Sequence, residues 1–427
     1  MKKFAAILVG KSIFKTTRLL KLGGGFAAPG LYALKLDSKL VENLINHKAK
    51  NIIITGTNGK TTTANLLSHF LKASGHKVTK NSSGSNLERG VASYLVNQSS
   101  LKGKLDYDFG VWEVDEFAFN SLAPKIKPDA IILLNAFRDQ LDRYGEVNTV
   151  IQRWQKTLSH LSPQTLVVIN SDDQNLMNCL KDFKGKVTKI GLKDTKISGE
   201  NLSESKIKPD YQAEVLKTSS LDQTDLKVTW NSTHSEYFSL PLPGVFNAYN
   251  FLASFTLSHL LNLDVNKIKQ SLSSFKPSFG RFERFKINDK QASIFLIKNP
   301  VGATEVFRTI LPHLKPDDSL LIALNDNFAD GTDVSWIWDI SFENTRLSTL
   351  ATRLYISGSR AYDMALRLKY ADIEEKSMTI DPVLEGSFNQ AIKQTTGRLF
   401  ILPTYTALLE LQKLLVKKGV KQEYWKE

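Results

Sequence analysis

Seven consecutive residues, Gly56-Thr57-Asn58-Gly59-Lys60-Thr61-Thr62, bring two glycines, a lysine and three hydroxyls into one short string. The string follows the apolar run Asn51-Ile52-Ile53-Ile54-Thr55 and opens a stretch, Thr62 to Lys72, with helical spacing. Strand, glycine loop and helix in that order are the setting of a phosphate loop. Glycines let backbone N–H groups close on phosphate oxygens, and the helix N-terminus adds positive potential. Lys60 would bridge the terminal phosphates and Thr61 would ligate Mg²⁺. The string is shorter than G-x-x-x-x-G-K-[ST], because Ile54 stands where the first glycine would be. Downstream, Trp112-Glu113-Val114-Asp115-Glu116 ends another apolar run. That places carboxylates at the C-terminal edge of a sheet, where open α/β sheets bind ligands. Glu113 is the candidate second Mg²⁺ ligand. Glu116 beside it reads more readily as strand-end solvation.

These residues need elements to hold them. Residues 3–21 have helical periodicity, Gly23-Gly24-Gly25 and Pro29-Gly30 break it, and a second helix is expected over 37–47. Apolar runs at 109–114, 129–134 and 165–170, separated by helix-length stretches, predict a buried parallel sheet. Residues 194–239 change to Ser, Lys, Asp and Thr with short alternating pieces, as in a small antiparallel insertion or flap. A second α/β series begins after Gly280, with strands expected at 293–297, 319–324, 353–357 and 398–402. The division is therefore an N-terminal helical segment over 1–48, a central α/β domain over 49–280 and a C-terminal α/β domain over 281–427.

Composition sets the bounds. A chain of 427 residues suggests about three domains. Its net charge of +13 favours acidic partners such as nucleotides or an anionic membrane. Nucleic acid is not expected, because the basic residues are dispersed among acids and neither an RRM signature nor a zinc-finger spacing is present. A single cysteine, Cys179, excludes an internal disulfide and any multi-cysteine metal site, and fits a reducing cytoplasm. The start, MKKFAAILVG, resembles a signal peptide, but its apolar stretch is short, Lys11 and Lys15 follow, and no A-x-A-like cleavage site appears. An amphipathic first helix that touches a membrane is the expected reading.

Four strings taken in order carry a family resemblance. Gly56 to Thr61 matches the G-T-N-G-K-T form of Mur ligases and folylpolyglutamate synthases. Asn135-Ala136-Phe137-Arg138-Asp139-Gln140-Leu141-Asp142 is similar to the Mur segment N-x-x-x-D-H-x-D, with Gln140 replacing the histidine that helps hold a metal. Leu242 to Asn250 resembles L-x-G-x-H-N-x-x-N, with Phe246 in the histidine position. Gly280-Arg281-Phe282-Glu283 resembles G-R-x-E. The chain is thus identified as a member of the Mur ligase family. GGGFAAPG (23–30), FRDQLDRYGE (137–146), KNPVGATE (298–305) and DNFADGTDVSWIWD (326–339) point to its MurT branch.

The resemblance implies a Mur ligase architecture, with a P-loop ATPase domain on a parallel sheet, that small antiparallel insertion and a C-terminal α/β domain. It implies ATP and Mg²⁺ as cofactors, with Gly56, Thr57, Asn58, Gly59, Lys60, Thr61, Thr62, Asn247, Asn250 and Arg281 around the nucleotide. Activation of the α-carboxylate of D-glutamate in the lipid II stem peptide, as an acyl phosphate that ammonia converts to D-isoglutamine, is the implied reaction. Lys60, Arg281 and Mg²⁺ would offset the developing charge. Cys179, in the helical-looking NLMNCLKD, lacks a nucleophile elbow, so ammonia is expected from a separate glutaminase, called GatD in this family. In the family an aspartate of the C-terminal domain completes that partner's Cys-His pair. Asp339 is favoured for the flanking Trp336 and Trp338, with Asp326, Asp330 and Asp333 left open. Many MurT chains carry a four-cysteine zinc ribbon where residues 194–239 have no cysteine, so zinc is not expected. The expected location is the cytoplasm, at the inner face of the cell membrane. An amino-acid-adding ligase such as a folylpolyglutamate synthase, or a nucleotide-gated scaffold without chemistry, are the competing readings.

Overall fold

Apolar residues alternate along the central strands and divide the molecule into layers. In β1 (Lys50–Thr55), Ile52 and Ile54 enter one core while Ile53 enters the core on the opposite face. A computed structural model of the chain describes residues 2–19, 27–81, 85–137, 147–193, 207–277, 280–344, 347 and 353–421. Before β1 come three helices, α1 (Lys2–Leu19), α2 (Ala28–Leu36) and α3 (Leu40–Leu44). After it follow α4 (Lys60–Ala73), β2 (Val78–Lys80), α5 (Glu88–Gln98), β3 (Phe109–Glu113), α6 (Phe119–Ile126), β4 (Ala130–Leu133), α7 (Val147–Ser159), β5 (Leu166–Asn170), α8 (Gln174–Asn178) and β6 (Val187–Lys193).

The expected break at Pro29-Gly30 is corrected. Both residues lie in the first turn of α2, where proline's fixed φ suits a helix start and its missing N–H costs no bond. A Cβ on Gly30 would stand 2.0 Å from the carbonyl of Arg89, so only glycine lets α2 lie against α5. Gly30 also donates its N–H to Ser93 Oγ at 2.6 Å. The helix expected over 37–47 is the shorter α3, whose Leu40, Val41 and Leu44 join the core under the sheet. Helices α1, α2 and α3 pack against α5 of the central domain.

Residues 211–240 give β7 (Tyr211–Ser220), β8 (Gln223–Trp230) and β9 (His234–Leu240). They continue the sheet, whose order is β2-β3-β1-β4-β5-β6-β7-β8-β9, parallel through β7 and antiparallel beyond. The antiparallel strands are present as expected, and they extend the edge of the main sheet, with Leu226, Val228 and Trp230 alternating inward. There Trp230 meets Tyr211, Phe255 and His259, with ring centroids 5.0–6.2 Å apart. Helices α9 (Val245–Leu260) and α10 (Val265–Ser271) cover this face together with α4.

The C-terminal domain comprises β10 (Arg281–Ile287), β11 (Lys290–Phe295), α11 (Pro300–Ile310), β12 (Ser319–Ala323), β13 (Arg353–Ser357), α12 (Ala361–Tyr370), β14 (Met378–Ile380), α13 (Leu384–Gln394), β15 (Leu399–Pro403) and α14 (Tyr405–Lys417). Its sheet runs β10-β11-β15-β12-β13-β14, with only the β10–β11 pair antiparallel. Leu320 and Ile322 face one core and Leu321 and Ala323 the other.

Candidate functional site

The loop between β1 and α4 is shaped by two glycines at positive φ, Gly56 at 140° and Gly59 at 88°. A Cβ on Gly59 would lie 2.1 Å from Asn250 Oδ1, so α9 can press against the loop only there. Asn135, at the end of β4, braces the other side. Its carbonyl accepts from Thr57 N, its Oδ1 from Asn58 N at 2.8 Å, and its Nδ2 donates to the Asn58 carbonyl at 3.0 Å. Thr57 Oγ1 completes the frame through the Phe137 backbone.

Lys60 is buried and donates to the Gly56 carbonyl at 2.5 Å and to Glu116 Oε2 at 2.8 Å. Desolvation opposes its charge, yet Glu116, Asp115 and Glu113 outweigh it and hold its pKa above the usual lysine value. Burial likewise pushes the Glu116 carboxyl up, but Lys60 and Lys298 hold it below the usual range. Asp115 is raised, first by burial and then by Glu116. Glu116 is therefore the internal counter-ion of the loop lysine and not a solvated strand end.

Thr61 Oγ1 donates to Glu113 Oε1 at 2.8 Å. Glu113 Oε2 is buried and has no hydrogen-bond partner among the described residues. The Glu113 backbone is clamped by Asn81, which accepts from its N–H and donates to its carbonyl, both at 2.8 Å. A buried carboxylate oxygen without a donor, next to a threonine hydroxyl at a phosphate loop, is an oxygen donor set suited to Mg²⁺. No group of three or more His, Cys, Asp or Glu placed to hold a metal occurs among the described residues.

The expected positions separate into classes. Gly56, Thr57, Asn58, Gly59, Lys60, Thr61 and Thr62 form the loop and the first turn of α4. Asn247 and Asn250 act behind it. Asn250 Nδ2 donates to Asn247 Oδ1 at 3.2 Å, and Asn247 Nδ2 to the Pro243 carbonyl at 2.7 Å. Both line the cleft between the domains, together with Phe137, Phe246 and Phe282. The side chain of Arg281, and the segment with Gln140, lie outside the described residues.

Two residues of the C-terminal domain, which open the string KNPVGATE but had no role assigned to them, complete the site. Lys298 Nζ donates to the Thr57 carbonyl at 3.2 Å. Asn299 and Asn58 exchange side-chain amide hydrogen bonds of 3.0 and 3.2 Å. Asn299 Oδ1 also caps α11 at Gly302 N. The signal available in the sequence was a lysine and an asparagine directly before Pro300, the pattern of a helix start.

The aspartates of 326–339 differ in surroundings. Asp330 is 6% exposed and accepts from Thr406 N and Oγ1, fixing the start of α14. Asp326 is tied to Ser359 and Arg360. Asp333 accepts from Ser335 N at 2.8 Å. Asp339 is exposed at the end of a 3₁₀ turn, Ser335–Asp339, beside Trp338, which is itself 46% exposed. Cys179 is buried, and burial pushes its thiol up to about 12, so it offers no thiolate nucleophile.

Comparison with known proteins agrees with this geometry. The family described as Mur ligase middle domain matches residues 54–258, and MurT ligase C-terminal matches 296–408. The chain is 30% identical, over 98% of each chain, to the lipid II isoglutaminyl synthase (glutamine-hydrolyzing) subunit MurT of Streptococcus pneumoniae (strain ATCC BAA-255 / R6). It is 29% identical, over 96% of each, to the subunit of the same description from Staphylococcus aureus (strain COL). Among solved structures it resembles MurF from Acinetobacter baumannii, with TM-score 0.69 and 16% identity over 91% of this chain and 80% of that one. It also resembles MurF ligase from Thermotoga maritima in complex with ADP, with TM-score 0.68 and 16% identity over 91% and 85%.

Proposed function

The chain belongs to the MurT family of Mur ligase-type subunits of lipid II isoglutaminyl synthase, and from that premise we propose how its own residues carry the reaction. An oxygen of the D-glutamate α-carboxylate in the lipid II stem peptide attacks the γ-phosphorus of ATP. The bond to the β,γ-bridging oxygen breaks, and ADP leaves. Ammonia then attacks the acyl carbon, phosphate departs, and loss of a proton leaves the amide. Lys60 exchanges Glu116 for the terminal phosphates, Lys298 faces them from the other domain, and Arg281 approaches phosphate. Glu113 and Thr61 would hold Mg²⁺, which when bound neutralises phosphate charge. Asn58 and Asn299 hold the two domains together over the reacting groups.

The observation that carries this reading is the closure of the C-terminal domain on the phosphate loop through Lys298 and Asn299, around a buried Lys60 and the Thr61–Glu113 pair. Ammonia comes from a GatD-type glutaminase subunit, in which Asp339 orients the Cys-His pair. The complex works in the cytoplasm, at the inner face of the cell membrane, where its lipid-linked substrate lies. Among the described residues no helix is long and apolar enough to cross a membrane.

Asp339→Asn tests the division of labour. Glutamine-dependent amidation should collapse, because the amide cannot stabilise the partner's charged imidazole. High ammonium should still give product, and the melting temperature should not move, since the side chain is exposed. Equal loss with both donors sinks the assignment.

A further inference from the structure

The outward stripe of α1 is apolar as well as the inward one. Ala6, Ile7 and Gly10 face inward, and a Cβ on Gly10 would lie 2.7 Å from Val96 of α5. The water-facing positions at helical spacing of three or four residues run Phe4, Leu8, Ser12, Lys15 and Leu19, so three of the five are large and apolar. A surface helix of a soluble domain places polar residues there. Helix α2, packed beside α1, adds Leu31, Tyr32 and Leu36. Together Phe4, Leu8, Leu19, Leu31, Tyr32 and Leu36 leave 41–86% of their surfaces exposed. They are a third of the large hydrophobic residues exposed among the described residues, gathered in the first 36 positions.

The charge of the same stretch is one-sided. Residues 1–36 contain Lys2, Lys3, Lys11, Lys15, Arg18, Lys21 and Lys35, and no aspartate or glutamate before Asp37. Lys3 and Lys11 are turned toward the protein, donating to the Asn43 and Asn97 carbonyls, while Lys15 stands on the apolar stripe itself. An exposed apolar patch marks an interaction surface. A protein partner would match apolar groups with apolar groups and scattered charges of both signs. A patch with cations of one sign interleaved among Phe, Leu and Tyr instead matches the headgroup and acyl boundary of an anionic bilayer. We propose that the α1–α2 hairpin is a membrane-docking surface that seats the chain on anionic phospholipid, with Phe4, Leu8, Leu31 and Tyr32 entering the interface and Lys2, Lys15 and Lys35 at headgroup level.

The inference deepens the reading of a lipid-linked substrate and rests on it. The hairpin lies on α5, which begins at the C-terminal, ligand-bearing edge of the sheet and whose Gly90 abuts Ser85. Ser85 accepts from Asn81, the residue that clamps Glu113. The hairpin and α4 cover opposite faces of the central sheet, and this chain of contacts joins the docking surface to the nucleotide site around the sheet's C-terminal edge.

The test uses the full chain, alone and with its glutaminase, in flotation with vesicles rich in phosphatidylglycerol and with vesicles of phosphatidylcholine alone. Wild type should float with the first and not with the second, and binding should weaken with salt. Leu8→Glu and Tyr32→Glu should each lower the partition at least tenfold, and Lys15→Glu about fivefold or more. All three should keep the melting temperature and ATP hydrolysis with a soluble acceptor, since the side chains are exposed. Phe4→Ser serves if a glutamate disturbs folding. Failure of wild type to float, or glutamate variants that float like wild type, overturns the proposal. So does a Leu8→Glu chain that loses its glutaminase while still floating, for the face would then cover a protein. The vesicles hold no substrate, so floating without amidation of added lipid II would remove the reading of the reaction and leave the docking surface standing.

Discussion

At the scale of single residues, the site is a set of charges held ready for a ligand. Lys60 is kept protonated by Glu116, and one oxygen of Glu113 is buried with no donor among the described residues. Lys60→Ala should abolish amidation with glutamine and with ammonium alike, because phosphorylation precedes nitrogen attack. A loss on the order of a hundredfold or more is expected, and persistent ammonium-driven product would rule out the loop's role. Lys298→Ala should lower turnover with both donors by a similar order, through loss of a cation that reaches the Thr57 carbonyl and acts on Glu116. Unchanged turnover would make Lys298 a mere surface contact. The first lysine was legible because a phosphate loop is contiguous in sequence. The second was not, since its partner, Thr57, is 241 positions away and only the fold brings them together. Glu116 was misjudged for the same reason: its pairing depends on where the helix after the loop points.

Elements explain why the loop cannot drift. The close fit of α9 against Gly59 makes this glycine a packing requirement as well as a conformational one. Gly59→Ala should push α9 and the loop apart, lowering both the melting temperature and ATP affinity. Normal nucleotide binding in a folded variant would contradict the contact. Strands β1, β3, β4, β5, β12, β13 and β15 were readable to within a residue or so, because continuous apolar runs are local patterns, whereas the short or less apolar β2, β6, β10 and β14 were not. The start of α2 was not, as proline and glycine are breakers in sequence but are used here for a first turn and a close approach. The continuation of β7–β9 into the main sheet was hidden as well, because the alternation of Leu226, Val228 and Trp230 states which side is buried and not what covers it. This edge is packed by Trp230, Tyr211, Phe255 and His259.

For the whole molecule, the cleft works only when both domains meet. Asn58→Ala removes the reciprocal amide pair but spares the cap that Asn299 gives α11. The KM for ATP should therefore rise several-fold with little change in melting temperature, and a measured KM equal to wild type would show that the pair does not hold the domains. Closure also reaches beyond the nucleotide. Helix α11 begins at Asn299 and packs Phe307 against Phe342, with ring centroids 5.0 Å apart, just past the turn that bears Asp339. The grip of Lys298 and Asn299 on the phosphate loop was not legible from composition and pattern, because it joins residues 241 positions apart. The N-terminal hairpin has a last consequence in the uneven spread of charge. More than half of the net +13 belongs to the first 36 residues, less than a tenth of the chain. Such a molecule is strongly polarised, and the field of an anionic surface turns it as it approaches, so that it lands hairpin first and at a rate steering can raise by about tenfold or more. Once landed, it hunts for its substrate by lateral diffusion in two dimensions, meeting a sparse lipid far more often than a freely tumbling enzyme would.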